Sequence, residues 1–478
     1  MEKMNEMFKK TNIFLTAFII IGLTMIGLVP IFLVQTDGYQ TTILWVYSIS
    51  MSAFLIFMYI TTYTYKPIPD KGHRPKVSVI VPAKNEEEVI GKTIRAVLDS
   101  DYPQELLQVI AIDDGSTDNT AAEIQEIESD RLIFIKNEKN LGKRISLAKG
   151  FNVSSGDIIM CVDSDSFVEK DAIALMMQPF LQANVVAVCG HGKAANKDVN
   201  LLTRLQHFWY QEMFRLIKGM ESVFGCTTCC SGILAAYRRT AVKETMDQWY
   251  GEYTGVKPKK DESLLMRIFA KSQADDRTLT VNVLKPRKSR VVYQSNAIVS
   301  TIVPEDIRQF IRQQLRWNRA WVYGTVISAE YMWKKPFPVP LYFYSYQILI
   351  AVLNPIVTIS WLIIKPIHGQ YNAAFLFLIG TTYIAVLHGL NIYRYDKSTI
   401  ACVPYRIIFA VIAVLQSTIL VPLAWLTVWN GAWSTRSGRK DKGGSVTGVN
   451  NIKTDTSTGF LKLWRKKKTT TLLLKNDG

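Results

Sequence analysis

At 478 residues, 48% of them hydrophobic and with a mean hydropathy of +0.09, the chain is too long for one ordinary domain and too apolar to be wholly soluble. The formal charge of +16 would suit nucleic acid, but Lys and Arg gather beside apolar runs and in the tail, as in cytoplasmic-face segments of membrane proteins, so a nucleic-acid partner is set aside. Six cysteines without regular spacing exclude a secreted disulfide framework and leave free thiols in a reducing compartment as the expectation.

Residues 13–34 are an apolar run of spanning length, preceded by Lys3, Lys9 and Lys10 and without a small-residue cleavage site, which predicts an anchor rather than a signal peptide. A second run over 42–63 follows the turn QTDGYQ and precedes Lys66, Lys71, Arg74 and Lys76. Residues 1–66 therefore read as a transmembrane hairpin with both ends cytosolic.

From Val77 the texture changes. VSVIVPA, QVIAIDD, RLIFIK and DIIMCVD read as short buried strands, separated by the helical stretches EEEVIGKTIRAVL and GKRISLAKGF. That alternation predicts a Rossmann-like, mostly parallel sheet in a cytosolic α/β domain over 67–303. Ligands of such sheets collect at the carboxyl ends of the strands, and two strands here end in aspartates, IAIDDGS and MCVDSDS.

Residues 305–331 are helical in pattern but rich in Arg, Gln and Trp, which predicts an interfacial helix, within a segment 304–335 that carries QQLRW. Apolar runs follow over 337–364, 371–392 and 406–429. With the hairpin they make five, an odd number that would leave the basic tail outside, against the bias of Arg436, Arg439, Lys440 and Lys442. Pro422 marks the last run as a kinked interfacial or re-entrant segment, giving a membrane region over 336–432 with two crossings and a cytosolic tail over 433–478. The tail stretch 443–458, rich in Gly, Ser, Thr and Asn, reads as a mobile linker.

The triplet Asp163-Ser164-Asp165 sets two carboxylates at a strand-to-loop junction, where one can face a nucleotide and the other a divalent ion; Mg²⁺ needs few protein oxygens when phosphates and water complete its shell. A capped turn is the plainer reading of DSD alone. In IAIDDGSTDNT, Asp113 and Asp114 can accept hydrogen bonds from a uracil imide or ribose hydroxyls, and Gly115 makes the turn. The first strand offers backbone at Pro82 and Ala83 and the side chains of Asn85 or Glu86. Lys143 and Arg144 follow the third strand; Lys143 is the better candidate for phosphate charge, one of the two being solvated helix surface. Asp275 and Asp276 come far later, and one carboxylate suffices to take the proton from an attacking acceptor hydroxyl. Asp276 is assigned as that base, with Asp275 supporting it on the acceptor side. CTTCCSG holds a zinc-like spacing at Cys226, Cys229 and Cys230, but no matching fourth ligand, and His207 reads as a structural histidine.

Taken in order, VPAKNEE, DDGSTD, DSD, SGILAAYRR, ADDRTLT, QQLRW and WSTR resemble the inverting family 2 glycosyltransferases of GT-A fold, and among them the membrane-embedded hyaluronan synthases. NLLTRL at 200–205 and VYQS at 292–295 look like that family too, and chitooligosaccharide synthases share most of the pattern. The resemblance implies that Asp165 holds the metal, Mg²⁺ or Mn²⁺, with Asp163 beside it, and that Asp113 or Asp114 and Asp163 hold UDP. It further implies that Gln313, Arg316 and Trp317 line the acceptor and diphosphate site, that Cys230, Ser231 and Gly232 lie near the acceptor sugar, and that Trp433, Ser434, Thr435 and Arg436 form a loop closing over the nucleotide. Departures stand at Ala274 and Ser434, where glycine is usual, and at Ile233, where a small residue and proline follow Ser-Gly. They bear on donor and acceptor preference.

The resulting expectation is a processive plasma-membrane transferase that adds sugars from UDP donors to a growing polysaccharide and exports it across the bilayer. Tyr344, Tyr346, Gln347 and Asn354 either line the exit path or simply pack the helices. A non-processive lipid glycosyltransferase shares the aspartate stations and QxxRW, and product length separates it from a polymerase. A non-catalytic channel with a decayed transferase domain conflicts with acidic residues at every station.

Overall fold

The computed structural model describes residues 39–254, 275–393, 408, 412 and 414–428. They fall within the first of two units, residues 1–431. The chain opens on helix α1 (Tyr39–Thr64) and enters the sheet at β1 (Val77–Ala83). Then come α2 (Ile90–Leu98), β2 (Leu107–Asp113), α3 (Thr120–Gln125), β3 (Leu132–Lys136), α4 (Lys143–Val153) and β4 (Ile158–Cys161), the four strands and two longer helices read from periodicity.

The described strands form an 8-stranded sheet in the order β3-β2-β1-β4-β7-β6-β8-β5. The half β3-β2-β1-β4 is parallel, with Ala83 opposite Asp113 and Asp113 opposite Lys136. The sheet is mostly parallel, as read, but mixed, because β7 (Ala235–Arg238) runs antiparallel to both β4 and β6 (Val185–Ala194). β8 (Arg290–Thr301) returns parallel to β6 and pairs antiparallel with the short β5 (Ser166–Val168). None of β5 to β8 belongs to a simple strand-helix-strand repeat, so local alternation does not reveal their direction.

All seven residues of β1 are buried, as a strand covered on both faces requires. Helices α2 and α4 pack against β1 and β2. Gly150 lets α4 approach closely, since a Cβ there would come within 2.6 Å of Ile80 Cγ2. Burial of Val79, Ile80, Val81, Val109 and Ile110 to 0% exposure contributes on the order of 2 kcal/mol per side chain.

After α5 (Ala172–Met177), helix α6 (Leu201–Glu212) begins at NLLT as a capping box: Asn200 Oδ1 accepts from Thr203 N, and Thr203 Oγ1 from Asn200 N. It runs through the π-type turn Met213–Lys218 into α7 (Gly219–Val223). Helix α8 (Arg239–Thr254) follows β7, and α9 (Asp275–Leu284) begins on the diacid. Helix α10 (Ile307–Ala329) carries QQLRW and is capped by Asp306, whose Oδ1 accepts from Arg308 N and Gln309 N.

Among the described residues, three helical segments are long and apolar enough to cross a membrane: Val46–Thr64 within α1, α11 (Val339–Ile367), and Tyr371–Ile392 within α12 (Tyr371–Tyr393). They coincide with three of the runs read from sequence. Of the last run, the short apolar helix α13 (Gln416–Leu426) holds Pro422 in its first turn of regular α-helix. The anchor run 13–34, the segment 255–274 with Ala274, and the tail with Trp433, Ser434, Thr435 and Arg436 lie outside the described residues.

Candidate active site

The carboxyl ends of β1 and β2 are joined by a web of turn hydrogen bonds. Asn85 adopts φ 53°, its N–H donates to Ser116 Oγ at 3.0 Å, and its Oδ1 accepts from Thr117 N at 2.9 Å. Glu86 N donates to Thr120 Oγ1 at 2.8 Å. Gly115, at φ 67°, passes so close to the next loop that a Cβ would lie 2.5 Å from the Lys139 carbonyl carbon. The two aspartates between these turns divide their work. Asp114 accepts from Asn137 Nδ2 and Leu141 N at 2.9 Å and from Gly142 N at 2.8 Å, so it holds the loop leading into α4. Asp113, at 0% exposure, accepts from Ser116 N at 3.1 Å through Oδ1, while its buried Oδ2 has no partner. An orphaned buried carboxylate oxygen at a strand's carboxyl end is what a nucleotide donor would satisfy.

At the end of β4, Lys143 Nζ donates to Asp163 Oδ1 at 2.5 Å. A Cβ on Gly232 would meet Asp163 Oδ1 and Lys143 Nζ both at 3.0 Å, and Gly232 N donates to Asp276 Oδ2 at 2.9 Å. Asp163, Lys143, Gly232 and Asp276, drawn from β4, α4, the turn before β7, and α9, thus meet in one place. Asp165 is 5% exposed, and its Oδ1 accepts from the hydroxyls of Ser166 at 3.3 Å and Thr301 at 3.2 Å. Burial alone would raise the Asp276 carboxyl, but Lys143, the Gly232 N–H and Arg316 outweigh it and hold the group below the usual carboxylate range. Asp276 is therefore held in its carboxylate form.

Arg144 is not solvated helix surface. Its side chain is 1% exposed and pairs with Asp275 through Nε and Oδ1 at 2.8 Å. Asp275 is thereby tied to α4, while Asp276 accepts from Gly232 N.

Helices α6 and α10 meet through aromatic rings. The Trp317 ring lies 5.8 Å from Trp209 and 6.2 Å from Tyr210, centroid to centroid. Arg316 is half-buried, and its charge is felt at both Asp276 and Tyr210. Gln313 is 8% exposed with Oε1 unpartnered, and Gln314 is buried with neither amide atom bonded. Flat indoles beside unspent amides suit a sugar, whose faces stack and whose hydroxyls bond.

The four residues considered for an exit path make helix-to-helix contacts. Tyr344 OH donates to Ala329 O, Thr325 Oγ1 donates to Gln347 Oε1, Tyr47 OH donates to Asn354 Oδ1, and the Tyr346 ring lies 5.4 Å from Phe54. These are the contacts of the packing reading.

Motif reading passed over Trp209 and Tyr210 on α6 and Lys218 and Glu221 around α7, and included Thr280 only as part of ADDRTLT; its Oγ1 donates to Asp276 O at 2.7 Å and accepts from Cys230 N at 3.0 Å. The available signal was amphipathic spacing in LQHFWYQEMF, which marks a packed face without telling a core face from a site face.

Residues 78–246 match the family model Glycosyl transferase family 2. The chain is similar to the hyaluronan synthase of Streptococcus pyogenes, 29% identical over 337 residues that span 69% of this chain and 75% of that protein. It is similar also to the N-acetylglucosaminyltransferase of Rhizobium meliloti (strain 1021), 33% identical over 258 residues, or 53% of this chain and 57% of that protein. Among solved structures, the mannosyltransferase PcManGT from Pyrobaculum calidifontis in complex with GDP-Man and Mn2+ aligns at 18% identity and TM-score 0.48, covering 84% of this chain and 99% of that one.

Proposed function

We propose that this chain, a glycosyltransferase with a family 2 domain over residues 78–246, is a processive, inverting enzyme of the plasma membrane that polymerises UDP-activated sugars into a β-linked polysaccharide and exports it. The donors are UDP-GlcNAc alone or UDP-GlcNAc with UDP-GlcA. Both termini and the catalytic domain face the cytosol. The observation that carries this reading is the meeting of Asp163, Lys143, Gly232 and Asp276 within reach of the charge of Arg316, on the helix of Gln313 and Trp317 that precedes the membrane-length helix α11.

In this reading Asp113 Oδ2 and the backbone at Pro82 and Ala83 receive the nucleoside, with Asn85 and Glu86 shaping that wall, and Lys143 and Arg316 face the diphosphate. The acceptor sugar lies against Trp317 and the Cys230-Ser231-Gly232 turn. Its hydroxyl oxygen attacks the anomeric carbon, the bond from that carbon to the diphosphate breaks with inversion, and Asp276 takes the hydroxyl proton.

Asp163 and Asp165 offer hard carboxylate oxygens two residues apart at a strand end, a donor set that fits Mg²⁺ or Mn²⁺ when phosphate and water oxygens complete the shell. Such an ion supplies charge neutralisation to the departing diphosphate. The similarity to an N-acetylglucosaminyltransferase favours a poly-GlcNAc product as the second reading. The test is UDP release and product length in a membrane preparation given each donor singly and in pairs. Long chains that need two donors give the heteropolymer, and long chains from UDP-GlcNAc alone give the second reading. A single sugar added to lipid overturns processive synthesis.

A further inference from the structure

The turn from Thr228 to Gly232 has no regular secondary structure, yet each of its residues is fastened from a different side. Thr228 donates through N and Oγ1 to the two oxygens of Glu221, at 3.1 and 2.8 Å. Cys229 O accepts from Lys218 Nζ at 2.7 Å, Cys230 N donates to Thr280 Oγ1 at 3.0 Å, and Ser231 Oγ accepts from Lys218 Nζ at 2.8 Å. Gly232 N ends the series on Asp276 Oδ2. Lys218 and Glu221 are three residues apart, so they project from one face of the helical segment and reach the turn together.

Lys218 is 7% exposed, and among the described residues its donors go to no carboxylate. Its third donor meets Cys189 Sγ at 3.2 Å, and the ammonium lies 4.5 Å from the centre of the Phe214 ring. Burial opposes the charge, while negative charge on the neighbouring sulfurs, Cys189 foremost, favours it and raises the group above its ordinary value. A buried ammonium held this way is costly, and a neutral side chain of similar length would pack with less penalty. What the charge gives is three directed, strong donors at one point, two of them on the turn.

We propose that Lys218, with Glu221 beside it, is the positioning residue of this turn: by clamping Cys229 O and Ser231 Oγ it sets the height of the Gly232 N–H and so the aim of the Asp276 carboxylate. The inference rests on Asp276 being the base. It assigns Lys218 no contact with donor, acceptor or metal. Its removal leaves nucleotide binding intact and misplaces the proton acceptor, and a displacement near 1 Å at a reacting group can cost up to about a hundredfold in rate.

The test measures kcat, donor KM and UDP affinity for Lys218→Met, Lys218→Arg and Asp276→Asn in detergent-purified full-length protein. Lys218→Met is expected to lower kcat by roughly tenfold or more, with donor KM and UDP Kd within about twofold of the parent. Lys218→Arg, still a multiple donor, restores kcat to within about threefold. A parental kcat in Lys218→Met, a fall in kcat matched by a loss of UDP binding, or no rescue by Arg overturns the positioning role. Where Lys218→Met does not yield folded protein, Lys218→Leu reads the same split with the donors removed, and an unchanged kcat there overturns the proposal. Turnover retained by Asp276→Asn removes the base reading instead, whatever the Lys218 variants do.

Discussion

Asp113 and Asp114 are neighbours in sequence and differ in what they hold. Asp114 spends both oxygens on three N–H groups of the loop before α4, whereas Asp113 keeps one buried oxygen unbonded. Asp114→Ala is therefore expected to cost about 1–3 kcal/mol by leaving buried donors unpaired, read as a lower midpoint in thermal unfolding. Asp113→Asn is expected to weaken UDP binding with little change in that midpoint, and calorimetric titration with UDP checks it. A second expectation concerns pH. The Asp276 carboxyl is held below its ordinary value because Lys143, Gly232 N–H and Arg316 together overcome burial. A depressed carboxyl contributes stability that is present above the unfolded value and lost as pH falls through the folded one. The acidic limb of kcat should accordingly lie below the usual carboxylate range, and Lys143→Met should move that limb to higher pH in a pH–rate profile. The aspartate stations were legible because acids at the carboxyl ends of parallel strands have few roles besides binding. The division between Asp113 and Asp114, and the burial of Arg144 against Asp275, were not, since both depend on a loop and a helix distant in sequence.

Among elements, those whose neighbours are adjacent in sequence were the easiest to foresee. β1 to β4 with α2 and α4 follow from period and turn residues, and NLLT declares the start of α6 through its capping box. β5, of three residues, and β7, of four, carry too little pattern, and their pairing with β8 and β6 is set by the chain's return from distant segments. The QxxRW helix α10 was read from its sequence, but its seating depends on Gly324. A Cβ there would lie 2.5 Å from Arg277 Cδ, so α10 and α9 approach with no room for a side chain. Gly324→Leu should force them apart at a cost of about 1–3 kcal/mol and lower kcat, since Asp276 and Arg316 sit on the two helices so displaced. A variant with parental melting and turnover would show that this contact does not set their spacing.

At the scale of the whole molecule, the α/β domain and the apolar helices are joined by polar contacts of long sequence separation. Tyr65 OH donates to Tyr293 O at 2.8 Å, Thr62 Oγ1 to Leu216 O at 3.3 Å, and Arg319 Nε to Thr427 Oγ1 at 3.0 Å. Thr325 of α10, about one turn past Trp321 and two past Trp317, meets Gln347 of α11 at 3.1 Å. These bonds connect the α/β domain to the apolar helices, and motif spacing carries no trace of them. If the connection is energetic as well as geometric, Thr325→Val and Gln347→Leu should not be additive: each alone strands one polar group, while the pair removes both. A double-mutant cycle on unfolding in detergent should give a coupling of about 0.5–1.5 kcal/mol. The same pair of substitutions should lower the mean length of the product more than the rate of UDP release, because it loosens the path beyond the site and leaves Asp276 untouched. Equal losses in both, or additivity within about 0.3 kcal/mol, would mean that the bond only fills space between two helices.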